Sequence, residues 1–138
     1  MNVQRIAVAS VVVFVFVFLL EFLFHAVLLK GMYEATAELW RPEEEHEMIY
    51  LFLSQLWFAI MVVVIFSRNC EGKGVGEGVR YGILIGLLMA APQLATYCYL
   101  PMPLSLTLGW VVASALKGLG AGIVASLVYR TDATSAQG

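Results

Sequence analysis

The sequence predicts an all-α integral membrane protein, a bundle of four helices that each cross the bilayer. Of its 138 residues 61% are hydrophobic and 13% are charged, which is too apolar for an ordinary soluble domain. A helix needs roughly 20 apolar residues to cross a hydrocarbon layer about 30 Å thick. Four stretches are long enough, and together they make a single transmembrane domain followed by a flexible tail at 131–138: 6–29, 48–66, 81–100 and 104–129.

The first span contains the alternating run VVVFVFVF at residues 11–18, a pattern typical of a strand in water. An unpaired strand cannot satisfy its backbone in lipid, so a helix is predicted. A cleaved signal peptide is the alternative interpretation. The length of the apolar run, Glu21 within it and the lack of a small-residue cleavage site favour a retained anchor.

Basic residues predict the orientation of the spans, because cytoplasmic loops carry an excess of Lys and Arg. One side has only Lys30 and Arg41, and the other has five basic residues, so both termini are predicted to be cytoplasmic. The glycine-rich run 71–78 is then a cytoplasmic loop, and the turn around residues 101–103 is a tight outer one. The five are Arg5, Arg68, Lys73, Arg80 and Arg130.

The acidic segment 30–47 is predicted to be extracytoplasmic. Glu34 and Glu38, four residues apart, suggest a short interfacial helix between the first and second spans. Pro42 followed by EEEHE is typical of a helix start, where acidic side chains complement the helix dipole. A weak metal site is the alternative, and it would use Glu43, His46 and Glu47.

Small residues recur at intervals of four in the third and fourth spans. This spacing places each set on one helix face and lets two backbones approach closely. The sets either pack the two helices within one chain or form a seam between two copies. They are Gly78, Gly82, Gly86 and Ala90 in the third span, and Ser114, Gly118, Gly122 and Ser126 in the fourth.

Each span also places one polar residue at a similar depth. At 1.5 Å per residue, Glu21, Gln55, Gln93 and Lys117 lie roughly 22, 16, 18 and 18 Å from the cytoplasmic end of their spans. A charge in mid-membrane costs at least about 2.5–3.5 kcal/mol, so Glu21 and Lys117 are predicted to pair inside the bundle.

His25 lies four residues after Glu21, on the same helix face. A carboxylate beside an imidazole could provide a proton or cation path. A satisfied internal ion pair with an interfacial histidine is the structural alternative.

Pro92, beside Gln93, is predicted to interrupt and bend the third span. Broken helices often line binding sites in transporters. A kink that only shapes the packing is the alternative.

Several classes of function find no support in the sequence. It contains no nucleophile elbow, phosphate loop or paired catalytic carboxylates, so no enzyme and no cofactor are predicted. The scattered basic residues do not suggest binding to nucleic acid. Cys70 and Cys98 are predicted to lie toward opposite membrane faces, too far apart for a disulfide.

The order EFLFHAVLLKGMYEATAELWRPEEE, then GVRYGILIGLLMAAPQLATYCYLPMPLSLTLGW and a late VYR, resembles a group of small four-span bacterial membrane proteins of the domain-of-unknown-function kind. That resemblance implies a bacterial inner membrane location and no assigned activity. Glu21 in the first span also resembles the functional glutamate of small multidrug resistance transporters. The larger acidic loop, Lys117 and the asymmetric basic residues differ from that family.

Two functions follow as expectations. The preferred one is a non-enzymatic structural or accessory protein, held together by its polar residues and meeting a cation or protein partner outside. The alternative is a small proton- or cation-coupled transporter that uses Glu21 as its coupling carboxylate. Its path would need two chains, through a homo-oligomer of the third and fourth spans, because four short helices enclose little volume.

Overall fold

The structure is a computed structural model that describes residues 2–69 and 71–129. These residues form helices and turns and contain no strand. The sequence-based predictions for Cys70, Arg130 and the tail 131–138 lie outside them. The described α-helices are α1 (Val3–Glu21), α2 (Lys30–Glu34), α3 (Met48–Asn69), α4 (Val75–Thr96) and α5 (Leu104–Val128). A π-helix at Phe22–Leu28 continues α1, and 3-10 turns lie at Ala37–Leu39 and Glu43–Glu45.

Four helices of the described chain are long and apolar enough to cross a membrane, which confirms the predicted number of spans. They are Val3–Leu28, Met48–Asn69, Val75–Thr96 and Leu104–Val128. The alternating run at 11–18 is helical, as expected. Only 22–39% of the most apolar window of each helix is buried within the chain. The apolar surface that remains must therefore face lipid or another protein.

The start of α4 corrects the predicted boundary. The helix begins at Val75, inside the run predicted to be a loop, and it ends at Thr96 rather than at residue 100. The Glu77 carboxylate in its first turn accepts hydrogen bonds from the backbone N–H groups of Glu71 (2.5 Å) and Lys73 (3.0 Å). Gly74 has φ +71°, a left-handed conformation that favours glycine. One acidic side chain thus orders the turn in which the helix begins.

The segment between the first two spans also differs from its prediction. The helix α2 ends at Glu34, and Glu38 lies in a separate 3-10 turn. The hydroxyl of Thr36 donates to the Met32 carbonyl oxygen at 2.8 Å, which satisfies a free carbonyl of that short helix.

Pro42 precedes only a 3-10 turn, and α3 starts at Met48. The backbone is extended at His46, whose Nε2 lies 2.9 Å from the Arg41 carbonyl oxygen. This break stops the turn after Pro42 from continuing into α3.

The small-residue stripes of α4 and α5 pack against each other within the chain. All eight stripe residues are buried. A Cβ added to Gly122 would lie 2.5 Å from the Gly82 Cα, and one added to Gly82 would lie 2.5 Å from the Leu119 carbonyl oxygen. The backbones are therefore as close as glycine allows, and these two faces are not free to form a seam between copies.

The other long helices complete the bundle around α5. The first helix, α1, packs against both α3 and α5, whereas α4 packs mainly against α5. Pro92 lies inside α4, which remains helical to Thr96, and the bend predicted at Pro92 stays a prediction. The core between α1, α3 and α5 is built from small and branched side chains: Ala9, Val13, Val17, Ala59, Val62, Val63, Ala121 and Ala125.

We expect Gly82→Ala to lower the thermal stability of the protein in detergent, because its new methyl group would meet the α5 backbone. Overpacking of this kind costs about 1–3 kcal/mol. Gly76→Ala is the matched control on the same helix, since no atom lies within 4 Å of the Cβ position there. Equal melting temperatures for the two variants would contradict the close α4–α5 contact.

Candidate functional site

An ion pair inside the bundle joins the first and last spans. The Lys117 Nζ lies 2.7 Å from the Glu21 Oε1, and the two side chains are only 15% and 17% exposed. The same ammonium lies 5.4 Å from the centre of the Phe58 ring of α3, which adds a cation–π contact. The pairing predicted from the sequence is confirmed. Each charge offsets the cost of placing the other in a hydrocarbon environment.

His25 binds the second oxygen of the same carboxylate. Its Nε2 lies 3.1 Å from the Glu21 Oε2, which confirms the contact predicted from their spacing. The π-helix that holds His25 begins directly after Glu21, and it continues into the bond from the Leu29 N–H to the Phe24 carbonyl (2.8 Å). Each π turn contains more residues than an α turn, so a residue four positions on lies more nearly above its partner.

Sequence reasoning did not find this π-helix. Residues 22–28 read FLFHAVL and contain neither proline nor glycine, the usual local signals of an irregular helix.

The contacts continue from His25 to two aromatic residues. The Tyr33 hydroxyl of α2 lies 2.5 Å from the His25 Nδ1, and the Trp110 indole N–H of α5 donates to that hydroxyl oxygen at 2.6 Å. We call Lys117, Glu21, His25, Tyr33 and Trp110 the polar network. Sequence analysis assigned no role to Tyr33 or Trp110, and their separation of 77 residues offers no local signal of the contact.

The chemistry of these groups sets the direction of each hydrogen bond. An indole N–H can only donate, so the Tyr33 oxygen accepts from Trp110. Burial raises the pKa of the Tyr33 hydroxyl to about 12, so the hydroxyl keeps its proton at neutral pH and can donate it to the Nδ1 of His25. A neutral His25 then carries its proton on Nε2 and donates it to Glu21. Every polar group in the network has a partner in this arrangement.

An aromatic cap closes the end of the bundle at which the network ends. The cap comprises Tyr33, Trp40 and Trp110, and it covers a small buried cluster of Leu29, Met102 and Leu106. The Tyr33 and Trp40 rings meet edge to face with centres 5.4 Å apart, and those of Trp40 and Trp110 are 5.9 Å apart. The Trp40 indole N–H donates to the Thr36 hydroxyl at 2.9 Å. The segment after the first span is thus folded back over the helices.

The other two residues predicted at this depth stand apart from the ion pair. Gln55 of α3 is buried, and its Oε1 has no hydrogen-bond partner within the described structure. Gln93 of α4 is half-buried. No hydrogen bond joins either side chain to Glu21 or Lys117 among the described contacts. The charged centre is therefore formed by the first and last spans, which supply Glu21, His25 and Lys117.

The acidic segment does not assemble the donors of a metal site. Glu43, His46 and Glu47 are exposed. Across residues 2–69 and 71–129, no group of three or more His, Cys, Asp or Glu side chains is placed to hold a metal ion.

The four apolar helices define a multi-pass α-helical membrane protein, with one charged pair inside and an aromatic cap at one end. Comparison with known proteins adds no family to this description: no family model, no curated protein and no solved structure matches the chain.

A double-mutant cycle on Glu21→Gln and Lys117→Met is expected to show a coupling energy of about 1–3 kcal/mol, because each single variant leaves one charge without its partner inside the bundle. Chemical unfolding in detergent measures it. The matched control is the pair Lys30 and Glu34, whose side chains are both 67% exposed and 3.7 Å apart. Its coupling should be about 0.3–0.5 kcal/mol. A coupling for Glu21 and Lys117 no larger than this would argue against the pair.

Proposed function

We propose that this chain is a non-enzymatic protein of the bacterial inner membrane with a structural or accessory role. In this proposal the polar network fastens the segment 30–40 over the extracytoplasmic end of the bundle. The observation that carries it is the state of Glu21: both carboxylate oxygens are occupied by groups of the same chain, Lys117 and His25. A carboxylate satisfied on both sides is what a structural pair requires.

The distribution of basic residues supports a topology with both termini in the cytoplasm. Arg5, Arg68 and Lys73 flank one end of the long helices, while Lys30 and Arg41 flank the other. Cytoplasmic loops carry such an excess of Lys and Arg. The acidic segment and the aromatic cap then lie on the outer side.

Two surfaces suit partners in an accessory role. The glutamates between residues 34 and 47 are exposed and offer negative charge to a cation or a basic protein. Leu84, Leu87 and Leu88 on the outer face of α4 are 61–70% exposed. Since the stripe glycines already bind α5, this leucine face is the part of α4 that remains for lipid or for a second copy of the chain.

Reporter fusions test the topology. We expect green fluorescent protein fused to the C-terminus to fluoresce, and alkaline phosphatase fused after Glu47 to be active, since the phosphatase folds only outside the cytoplasm. The matched control is a phosphatase fusion after Lys73, which should be inactive. The reverse pattern would contradict the proposed orientation.

A second candidate function is a small proton- or cation-coupled transporter with Glu21 as the coupling carboxylate. The observation that favours it is the unbroken series of hydrogen bonds from Glu21 through His25 to Tyr33, which leads from the charged pair to the cap. Such a series can pass protons between neighbouring groups. The resemblance of Glu21 to the functional glutamate of small multidrug resistance transporters agrees with this candidate.

Proton flux into vesicles separates the two functions. The protein is reconstituted in proteoliposomes that contain a pH-sensitive dye, and a proton gradient is imposed. The structural role predicts the same flux as in empty vesicles, together with lower stability of Glu21→Gln. A faster flux that is lost in Glu21→Gln and kept in Glu38→Gln would establish the transporter instead. Glu38 is a suitable control because it is an exposed glutamate outside the network.

A further inference from the structure

We propose that the aromatic cap is a proton-operated closure: it is closed while His25 is neutral, and it opens when His25 takes up a proton. The inference rests on the polar network of the proposed function and assigns that network a regulatory role. The charges of the network, its hydrogen bonds and the exposure of His25 support it.

The charges around Glu21 are balanced while His25 is neutral. Glu21 supplies one negative charge, and Lys117 already offsets it at 2.7 Å. A proton on His25, whose Nε2 lies 3.1 Å from the same carboxylate, would leave the network with an excess positive charge inside the bundle. An unbalanced charge at this depth is unfavourable. The two cationic groups must therefore compete for one carboxylate.

The groups around His25 and Lys117 come from several elements of the chain. Glu21 precedes it by four residues, Tyr33 approaches from α2, and α5 contributes Lys117 through the carboxylate and Trp110 through the Tyr33 hydroxyl. From α3, the Phe58 ring borders the Lys117 ammonium. Within the described part of the chain, Glu21 is the sole acidic group in an ion pair with His25 or Lys117.

The hydrogen bond between His25 and Tyr33 also depends on whether His25 is protonated. Neutral His25 accepts the Tyr33 hydroxyl proton at Nδ1, whereas protonated His25 carries a proton on both nitrogens and can only donate. The Tyr33 oxygen would then face two N–H donors, from His25 and Trp110. Its own proton would have no acceptor in the described structure, where this hydroxyl contacts only those two residues. Protonation therefore reverses the His25–Tyr33 hydrogen bond and leaves the Tyr33 hydroxyl proton without an acceptor, which weakens the hold on Tyr33.

Displacement of Tyr33 would open the cap on one side, because its ring contacts both tryptophans, which would keep only their own contact at 5.9 Å. Its centre lies 5.4 Å from that of Trp40 and 6.5 Å from that of Trp110. The cap also covers Leu29, Met102 and Leu106, which would gain access to the surroundings.

His25 is also more exposed than the two members of the ion pair. The His25 side chain is 36% exposed, against 17% for Glu21 and 15% for Lys117. His25 also lies between Tyr33 of the cap and Glu21 in the hydrogen-bonded series, so a proton passed on from the cap meets it before the ion pair. Histidine is also the side chain whose charge normally changes between about pH 5 and 8.

Tryptophan fluorescence of the full chain in lipid nanodiscs tests the proposal. The sequence has three tryptophans, and Trp57 lies outside the cap on the exposed face of α3. In a Trp57→Phe background the emission reports Trp40 and Trp110 alone. We expect the emission maximum to move to longer wavelength as the pH falls from about 8 to about 5, the range in which histidine titrates.

The two histidines of the chain provide a matched pair of variants. The shift should vanish in His25→Gln and persist in His46→Gln, because His46 is exposed and its described hydrogen bond is to the Arg41 carbonyl rather than to a ring of the cap. Tyr33→Phe, which keeps the ring and removes the hydroxyl, should reduce the shift and provides a second test if His25→Gln does not fold. No shift in the Trp57→Phe protein, or an undiminished shift in His25→Gln or Tyr33→Phe, would overturn the proposal.

The midpoint of the transition gives a further readout that a merely structural contact would not move. Lys117→Met removes the competing cation, so Glu21 can pair with protonated His25 and the fluorescence transition should move toward higher pH. Glu21→Gln leaves the Lys117 charge without its carboxylate, so the fluorescence transition should move toward lower pH. Equal or reversed midpoints would count against the competition. Because this readout follows the cap rather than stability or proton flux, it can fail while the structural role holds.

Discussion

An ammonium and a carboxylate are each costly inside a hydrocarbon layer, and in this chain Lys117 and Glu21 offset each other across α5 and α1. This requirement brings the last span beside the first, although most of the chain separates them. Once α5 lies against α1, another face of it receives α4 through the two small-residue stripes. The central position of α5 thus follows from two different contacts, one electrostatic and one steric.

The same carboxylate links the interior of the bundle to its capped end. Glu21 is the last residue of α1, and the π-helix that follows brings His25 onto its second oxygen. Tyr33 and Trp110 extend this series to the segment that folds back after the first span. A local irregularity of one helix therefore decides where a loop is held, and hydrogen bonds link that loop to the ion pair.

The proposed dependence of the cap on the charge of the ion pair relates the structural role to the transport candidate. A satisfied ion pair stabilises the bundle as long as its charges balance, and a single additional proton disturbs that balance. In the two proposals, the same five side chains hold the segment 30–40 over the bundle and respond to a proton on His25. The difference between the two functions lies in whether the proton leaves by the way it entered or continues past Glu21.

The sequence by itself determined the four spans, the small-residue stripes and the pairing of Glu21 with His25 and Lys117, because hydropathy, helical spacing and the cost of buried charge can be judged residue by residue. Only the tertiary structure decided that the stripes pack on each other, that Gln55 and Gln93 stand apart from the charged pair, and that Trp110 reaches Tyr33. It also placed the start of α4 at Val75, through the contacts of Glu77 with the preceding turn. The physical reason is that depth in the membrane follows from position along a helix, whereas the lateral order of helices and the path of a returning loop depend on contacts between residues far apart in the chain.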